Sequence, residues 1–225
     1  IEDMRMRKLC EKTQVAYIRA VRKLAAYLKR SPDTASAEEL RRFQLHLVDH
    51  GTSPATLNAT IMGLEFFFDV TLNRGELMAK MQSVRMPRTL PVVLSRDEVA
   101  RLIEAAQGTE PADLRTMCLV ELLYGAGLRA SECCDLPLSA LPAPGATVLI
   151  VRGKGDKERI TPLGKPALLA LKNYMAVRDQ FFPKSAVRSV AQRFVFPSRG
   201  SSGRLTRRRL GQLLEDLAMK AGIAL

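Results

Sequence analysis

Gly125-Ala126-Gly127-Leu128-Arg129-Ala130-Ser131-Glu132 places an arginine just after a glycine-rich turn, at the end of an apolar run. The planar guanidinium fork matches a phosphate bidentately. Ser131 stands where it can cap the next helix, and Glu132 where it can orient a neighbouring arginine. Taken alone, Arg129 equally fits an exposed loop. Further along, Thr147 to Val151 is rich in β-branched residues and reads as a strand. Arg152-Gly153-Lys154-Gly155-Asp156-Lys157-Glu158-Arg159 follows, then Ile160 to Leu163, which together make a β-hairpin or meander with a charged turn. Glycines flanking Lys154 let the backbone turn tightly and let an anion approach. The GxxxxGK[ST] pattern of a Walker A loop is absent. Taken alone, this turn also fits a solvated charged loop.

Upstream, the chain reads as helices. Thr13 is placed to cap a helix carrying Val15, Ile18, Val21, Leu24 and Leu28 at helical spacing. Ser36 and Glu39 form a capping box before Leu40, Phe43 and Leu47. Ser53-Pro54 is an N-cap with a first-turn proline, opening a helix with Leu57, Ile61, Leu64 and Phe68. A short helix is expected over Glu76 to Met81. Residues 1–82 thus form a helical bundle, and 83–94, with Arg85, Pro87, Arg88 and Pro91, a basic linker. A second domain, 95–225, opens on the capping box Ser95/Glu98. A helix through Leu114 to Tyr124 leads into the Gly125 turn, with Tyr124 expected in the core. A helix spans roughly Pro166 to Arg178, Phe194 to Pro197 is extended, and Thr206 caps a last helix beginning Arg207-Arg208-Arg209. The fold class expected is mainly α with one small β-hairpin or meander.

The net charge of +12 points to partners rather than to fold. With a pI near 10.0 and no basic face joined to an uninterrupted apolar one, nucleic acid is favoured over a membrane surface. No apolar run approaches the ~20 residues of a membrane span, and the charged N-terminus carries no signal-peptide pattern. The expectation is a cytoplasmic protein. Cys10, Cys118, Cys133 and Cys134 show no metal or disulfide spacing, and His46/His50 lack an acidic HExxH context, so no metal or cofactor is expected.

Taken together and in order, these segments resemble the tyrosine recombinase family, which includes Xer-type recombinases and phage and integron integrases. The first stretch is similar to its G-x-G-L-R-x-S-E motif, and the hairpin to its G-K-G-x-K-E-R-x-x-P-L motif. Phe196-Pro197-Ser198 followed by Leu205-Thr206 also has a counterpart there. The N-terminal bundle resembles the family's SAM-like core-binding domain, and 95–225 its mixed α/β catalytic domain. The resemblance implies attack of a tyrosine on a DNA phosphate, a 3′-phosphotyrosine intermediate, and later attack of a freed 5′-hydroxyl, without metal or ATP. Protein cations then stabilise the charged transition state. Arg129 is implied to hold the phosphate oxygens and Lys154 to protonate the leaving 5′-oxygen, with Glu132 supporting from behind. Phosphate contacts are expected from Arg85, Arg88, Lys157, Arg159, Thr206, Arg207, Arg208 and Arg209. Thr52, Ser53, Thr56 and Asn58 are expected to face DNA from the bundle.

The family pattern continues with an H-x-x-R helix and the tyrosine, whereas this sequence reaches Ala221-Gly222-Ile223-Ala224-Leu225 with no HxxR anywhere. Tyr17, Tyr27, Tyr124 and Tyr174 do not match the nucleophile's context. The expectation is a recombinase or integrase that is catalytically incomplete over these residues, joining other protomers in a synaptic tetramer when complete. The alternative is a non-catalytic DNA-binding protein that occupies recombination sites.

Overall fold

The computed structural model describes residues 1–87, 90, 92–143, 145–153, 158–184 and 187–223. The chain divides into two compact units, Ile1–Pro91 and Val92–Leu225, each with its own apolar core.

The first unit is helical: α1 (Glu2–Met6), α2 (Glu11–Leu28), α3 (Ala37–Asp49) and α4 (Pro54–Glu65). A π-helical turn, Phe66–Thr71, and a 3-10 turn, Gly75–Lys80, complete it. The helix expected at Glu76 to Met81 is therefore this tighter 3-10 turn. Leu24, Leu40, Phe43, Leu64 and Phe68 are its most deeply buried side chains. Two of the three side-chain caps read from the sequence form: Ser36 with Glu39 as a reciprocal box, and Ser53 accepting from the Thr56 N–H. Thr13 does not cap α2. The helix starts earlier, with Cys10 at the cap, and the Thr13 hydroxyl lies 3.1 Å from Cys10 Sγ inside the first turn. Helices α2 and α4 approach closely at Gly63, where an added Cβ would sit 2.9 Å from Ala20 Cβ and 3.1 Å from Tyr17 Cα.

Asn58, expected to face DNA, has a structural task as well. Its side-chain amide donates to Val84 O (2.9 Å) and accepts from Val84 N–H (2.8 Å). Gln44 does the same for Gln82 (2.7 and 3.0 Å). Each amide satisfies both polar groups of one residue in the irregular stretch that leaves the bundle, so that stretch stays pinned to it at least to Val84.

The second unit contains α5 (Arg96–Ala105), α6 (Pro111–Val120), α7 (Ala130–Cys134), β1 (Val148–Arg152), β2 (Glu158–Pro162), α8 (Lys165–Val177), α9 (Arg188–Ala191) and α10 (Arg207–Lys220). Ser95/Glu98 forms the expected capping box. Strands β1 and β2 pair antiparallel with Ile150 opposite Ile160. Leu149 and Val151 point into the core, while Val148, Ile150 and Arg152 face out, the two-residue alternation of a half-buried strand. Among the described residues this is the one sheet, so the fold is mainly α with a two-stranded hairpin, as expected. Buried Arg178 gathers the carbonyls of Gln192, Phe194 and Val195, and Tyr174 donates its hydroxyl to Val195 O (3.1 Å). Those bonds fix the extended segment that bridges Pro137 on one side and leads to the Pro197–Arg204 pair on the other. Tyr124, expected in the core, is 62% exposed. From Glu121 to Gly125 the backbone winds as a π-helix, and the wider turn rotates Tyr124 off the buried face.

Candidate functional site

The site grows from that π-helical turn. Leu128 N–H reaches back to Leu122 O (3.1 Å) and Ala126 N–H to Glu121 O (3.2 Å). Gly127 sits at φ +62°, in the left-handed region where a side chain is strained. The chain then straightens at Arg129 (φ −70°, ψ 150°), which is itself the N-cap of α7. Ser131, expected as the cap, is instead inside the helix. An arginine has no acceptor with which to cap a helix. Glu132 closes the end instead, because its Oε2 accepts the Arg129 backbone N–H (2.8 Å).

The other oxygen of Glu132 takes two guanidinium groups. Arg129 Nη1 donates to Oε1 at 2.8 Å and Arg159 Nη1 to the same oxygen at 2.6 Å. The Glu132 side chain is 4% exposed, Arg159 35% and Arg129 70%. The carboxylate is therefore a covered anchor, and the outermost member of the trio is Arg129. The Arg159 hydrogen bond, with the bonds from Arg129, pulls the Glu132 carboxyl down to about 2 against the opposing effect of burial. Glu132 in turn holds Arg159 above its usual pKa.

Strand β2 secures the turn from its inner side. Arg159 Nη2 donates to Gly127 O (3.0 Å), and two residues on, Thr161 Oγ1 donates to Ala126 O (2.6 Å). Residues 159 and 161 share a face of the strand. The hairpin therefore grips consecutive carbonyls of the turn that presents Arg129.

The remaining expected residues fall in several places. Thr206 caps α10, accepting from Arg209 N–H at 3.2 Å, and Arg207, Arg208 and Arg209 are exposed in its first turn. Helix α10 packs on α7, and Arg207 with Arg204 lowers the otherwise burial-raised pKa of Cys134 at the end of α7. Arg207 is thus electrostatically close to the helix that Arg129 begins. Arg85 is exposed in the first unit, and Thr52 and Ser53 lie at the start of α4 there. Arg88, Lys154 and Lys157 lie outside the described residues. Sequence reasoning missed the Arg204–Asp135 ion pair, which ties the approach to α10 to the end of α7. Arg159, expected as a phosphate contact, also donates to Glu132 and to Gly127 O. The spacing of Arg159 and Thr161 on one strand face was the available signal.

Two arginines on one carboxylate leave the trio with a net positive charge. Arginine carries five N–H donors, and Arg129 commits one of them to Glu132. A preorganised, outward-facing guanidinium on a buried anchor is suited to an oxyanion such as a phosphodiester.

Residues 92–225 match the Phage integrase family, and residues 1–75 match the Phage integrase, N-terminal SAM-like domain. The chain is 40% identical to the tyrosine recombinase XerD of Caulobacter vibrioides, over 96% of this chain and 72% of that protein. It is 36% identical to the tyrosine recombinase XerD of Rhizobium meliloti, over 84% of this chain and 62% of that one. In fold it is similar to a lambda integrase (75–356) dimer bound to a COC′ core site, with a TM-score of 0.66 and 15% identity over 96% of this chain and 74% of that one.

Proposed function

Because the chain belongs to the phage integrase family of tyrosine recombinases, we propose that it acts in site-specific DNA recombination, binding duplex DNA and serving strand cleavage and rejoining through a 3′-phosphotyrosine. The observation that carries this reading is Arg129, exposed and held by the buried carboxylate of Glu132. In the reaction a tyrosine oxygen bonds to phosphorus and the bond from phosphorus to the 5′-oxygen breaks. Arg129 holds the non-bridging oxygens as their charge builds. Lys154, by its place in the motif, gives its proton to the departing 5′-oxygen. Glu132 and Arg159 touch no reacting atom and act as positioning residues. Arg207 and Arg208, exposed at the start of α10, supply phosphate contacts, and Arg85 supplies one from the first unit. We assign the nucleophile to none of the four tyrosines. Tyr174 is fully buried, its hydroxyl is given to Val195 O, and burial pushes its pKa up. Tyr17 and Tyr27 lie on α2 of the first unit, and Tyr124 directly precedes the Gly125 turn.

The test is affinity for a duplex recombination site measured between about 50 and 200 mM salt, since phosphate neutralisation releases counterions. The expected result is a steep loss of affinity whose logarithmic slope drops by about one in Arg129→Ala. An affinity indifferent to salt overturns the reading.

A further inference from the structure

A second set of arginines meets in the Val92–Leu225 unit around a cavity of about 550 Å³. Arg115 comes from α6, Arg199 from the loop after Pro197, and Arg209 from the first turn of α10, with Phe181 and Ser198 also lining the space. None of the three guanidiniums has a carboxylate within ion-pair distance among the described residues. Their partners are neutral. Arg115 lies over the Phe181 ring at 4.3 Å, Arg199 Nη2 donates to Gln180 O at 3.3 Å, and Arg209 Nη1 donates to Gln212 Oε1 at 3.3 Å.

Arg115 is in the least comfortable position of the three. Its Nε is buried with no hydrogen-bond partner, and burial, together with the charge of Arg209, pushes its pKa down. A partly buried cation normally finds a counterion, since leaving it unpaired is costly. Here like charges converge on a cavity, and the Phe181 ring offers only its negative face as compensation.

We propose that this cavity is an anion site for a phosphate ester. Three guanidiniums from three segments offer more donors than the two oxygens of a carboxylate can use, whereas a phosphate presents three or four oxygens to planar forks. Ser198 Oγ accepts weakly from Gly200 N–H (3.4 Å) and keeps its own proton to donate. Apolar walls at Phe181 and Leu205 and a size within the range of small-molecule pockets fit an ester rather than a bare ion alone. Exposed Glu110, at the cap of α6, also lines the cavity, and its charge opposes an anion. That opposition supplies a diagnostic sign. The proposal uses no step of the strand-cleavage reaction and stands apart from the Arg129 cluster. The phosphate comes either from a DNA backbone or from a free phosphate ester.

The test measures thermal stability and binding of the full chain with inorganic phosphate and with adenosine monophosphate, against sodium chloride at equal ionic strength. In parallel, a duplex is titrated with and without phosphate. Both phosphate compounds should raise the melting temperature above the chloride control. Arg199→Gln, at an exposed position, should weaken their binding about tenfold. Glu110→Gln should strengthen it. Arg115→Gln should abolish it; should that variant fail to fold, Arg199→Gln and Glu110→Gln decide the matter. If Arg199→Gln also weakens the duplex and phosphate competes with it, the source is the DNA backbone. If duplex affinity is unchanged, the source is a free ester. Equal shifts with chloride and phosphate, or a Glu110→Gln variant that binds phosphate less well, would overturn the proposal, as would the failure of Arg199→Gln to weaken either ligand.

Discussion

Glu132 carries the local structure around Arg129 on three hydrogen bonds, two from side chains and one from the backbone. Because binding to Arg159 and Arg129 lowers its pKa from 4.5 to about 2, it stabilises the fold only while ionised. Its contribution is fully present above about pH 4.5, declines as pH falls towards 2 and is lost below that. Glu38 and Glu39 are lowered to about 2 as well, by Arg41 and by Ser36 respectively, so acid unfolding of the whole chain is not specific to one residue. The comparison that isolates Glu132 is Glu132→Gln. We expect this variant to be less stable at pH 7 by roughly 1–3 kcal/mol and to lose less stability than the unaltered chain between pH 5 and 3, as measured by denaturant unfolding at each pH. Parallel curves for the two proteins would mean that the carboxylate is not held as described. The sequence disclosed the residue types, because Gly127, Arg129 and Glu132 sit in one short motif. It did not disclose the sharing of Glu132 between two arginines. Arg159 lies across the hairpin, and only strand register brings its fork to that oxygen.

Elements whose ends are set by near neighbours were legible. Ser36 with Glu39, Ser95 with Glu98, Ser53 with Pro54, and Thr206 all cap as their sequence suggests, because a cap is a bond over three residues. The α7 cap was misread because a backbone N–H and a glutamate perform it together, leaving Ser131 in the helix. The π-helical turns at Phe66–Thr71 and Glu121–Gly125 were illegible for another reason. Each wide turn shifts the rotational phase of the helix, so an apolar pattern projected at regular spacing places Tyr124 in the core when it faces outward. The turn also fixes the backbone of Gly127. A Cβ there has open space but demands a left-handed conformation. Gly127→Ala should therefore cost roughly 1–2 kcal/mol in unfolding experiments from backbone strain alone. It should also weaken duplex binding, because the turn positions Arg129. A variant as stable as the unaltered chain would show that the turn does not require a glycine.

At the scale of the molecule, two units with separate cores each contribute basic residues, and the net charge of +12 makes nucleic acid their natural partner. The charge was legible from composition alone. The stretch that leaves the bundle was less so, because Gln82 and Val84 are bonded back to it through the side-chain amides of Gln44 and Asn58. No helix among the described residues is long and apolar enough to cross a membrane. The central claim is that Arg129, presented by Glu132, supplies transition-state stabilisation for phosphoryl transfer and does not serve as a mere anchor. Its most direct test fuses these residues to the part of the Caulobacter vibrioides XerD that they do not match, and follows covalent attachment to a nicked suicide duplex on a denaturing gel. An interaction concentrated in the transition state lowers rate more than affinity. The account predicts that Arg129→Ala in this fusion binds duplex within about tenfold of the parent yet forms the covalent band at least about a hundredfold more slowly. A variant whose rate of attachment falls no further than its affinity would contradict it.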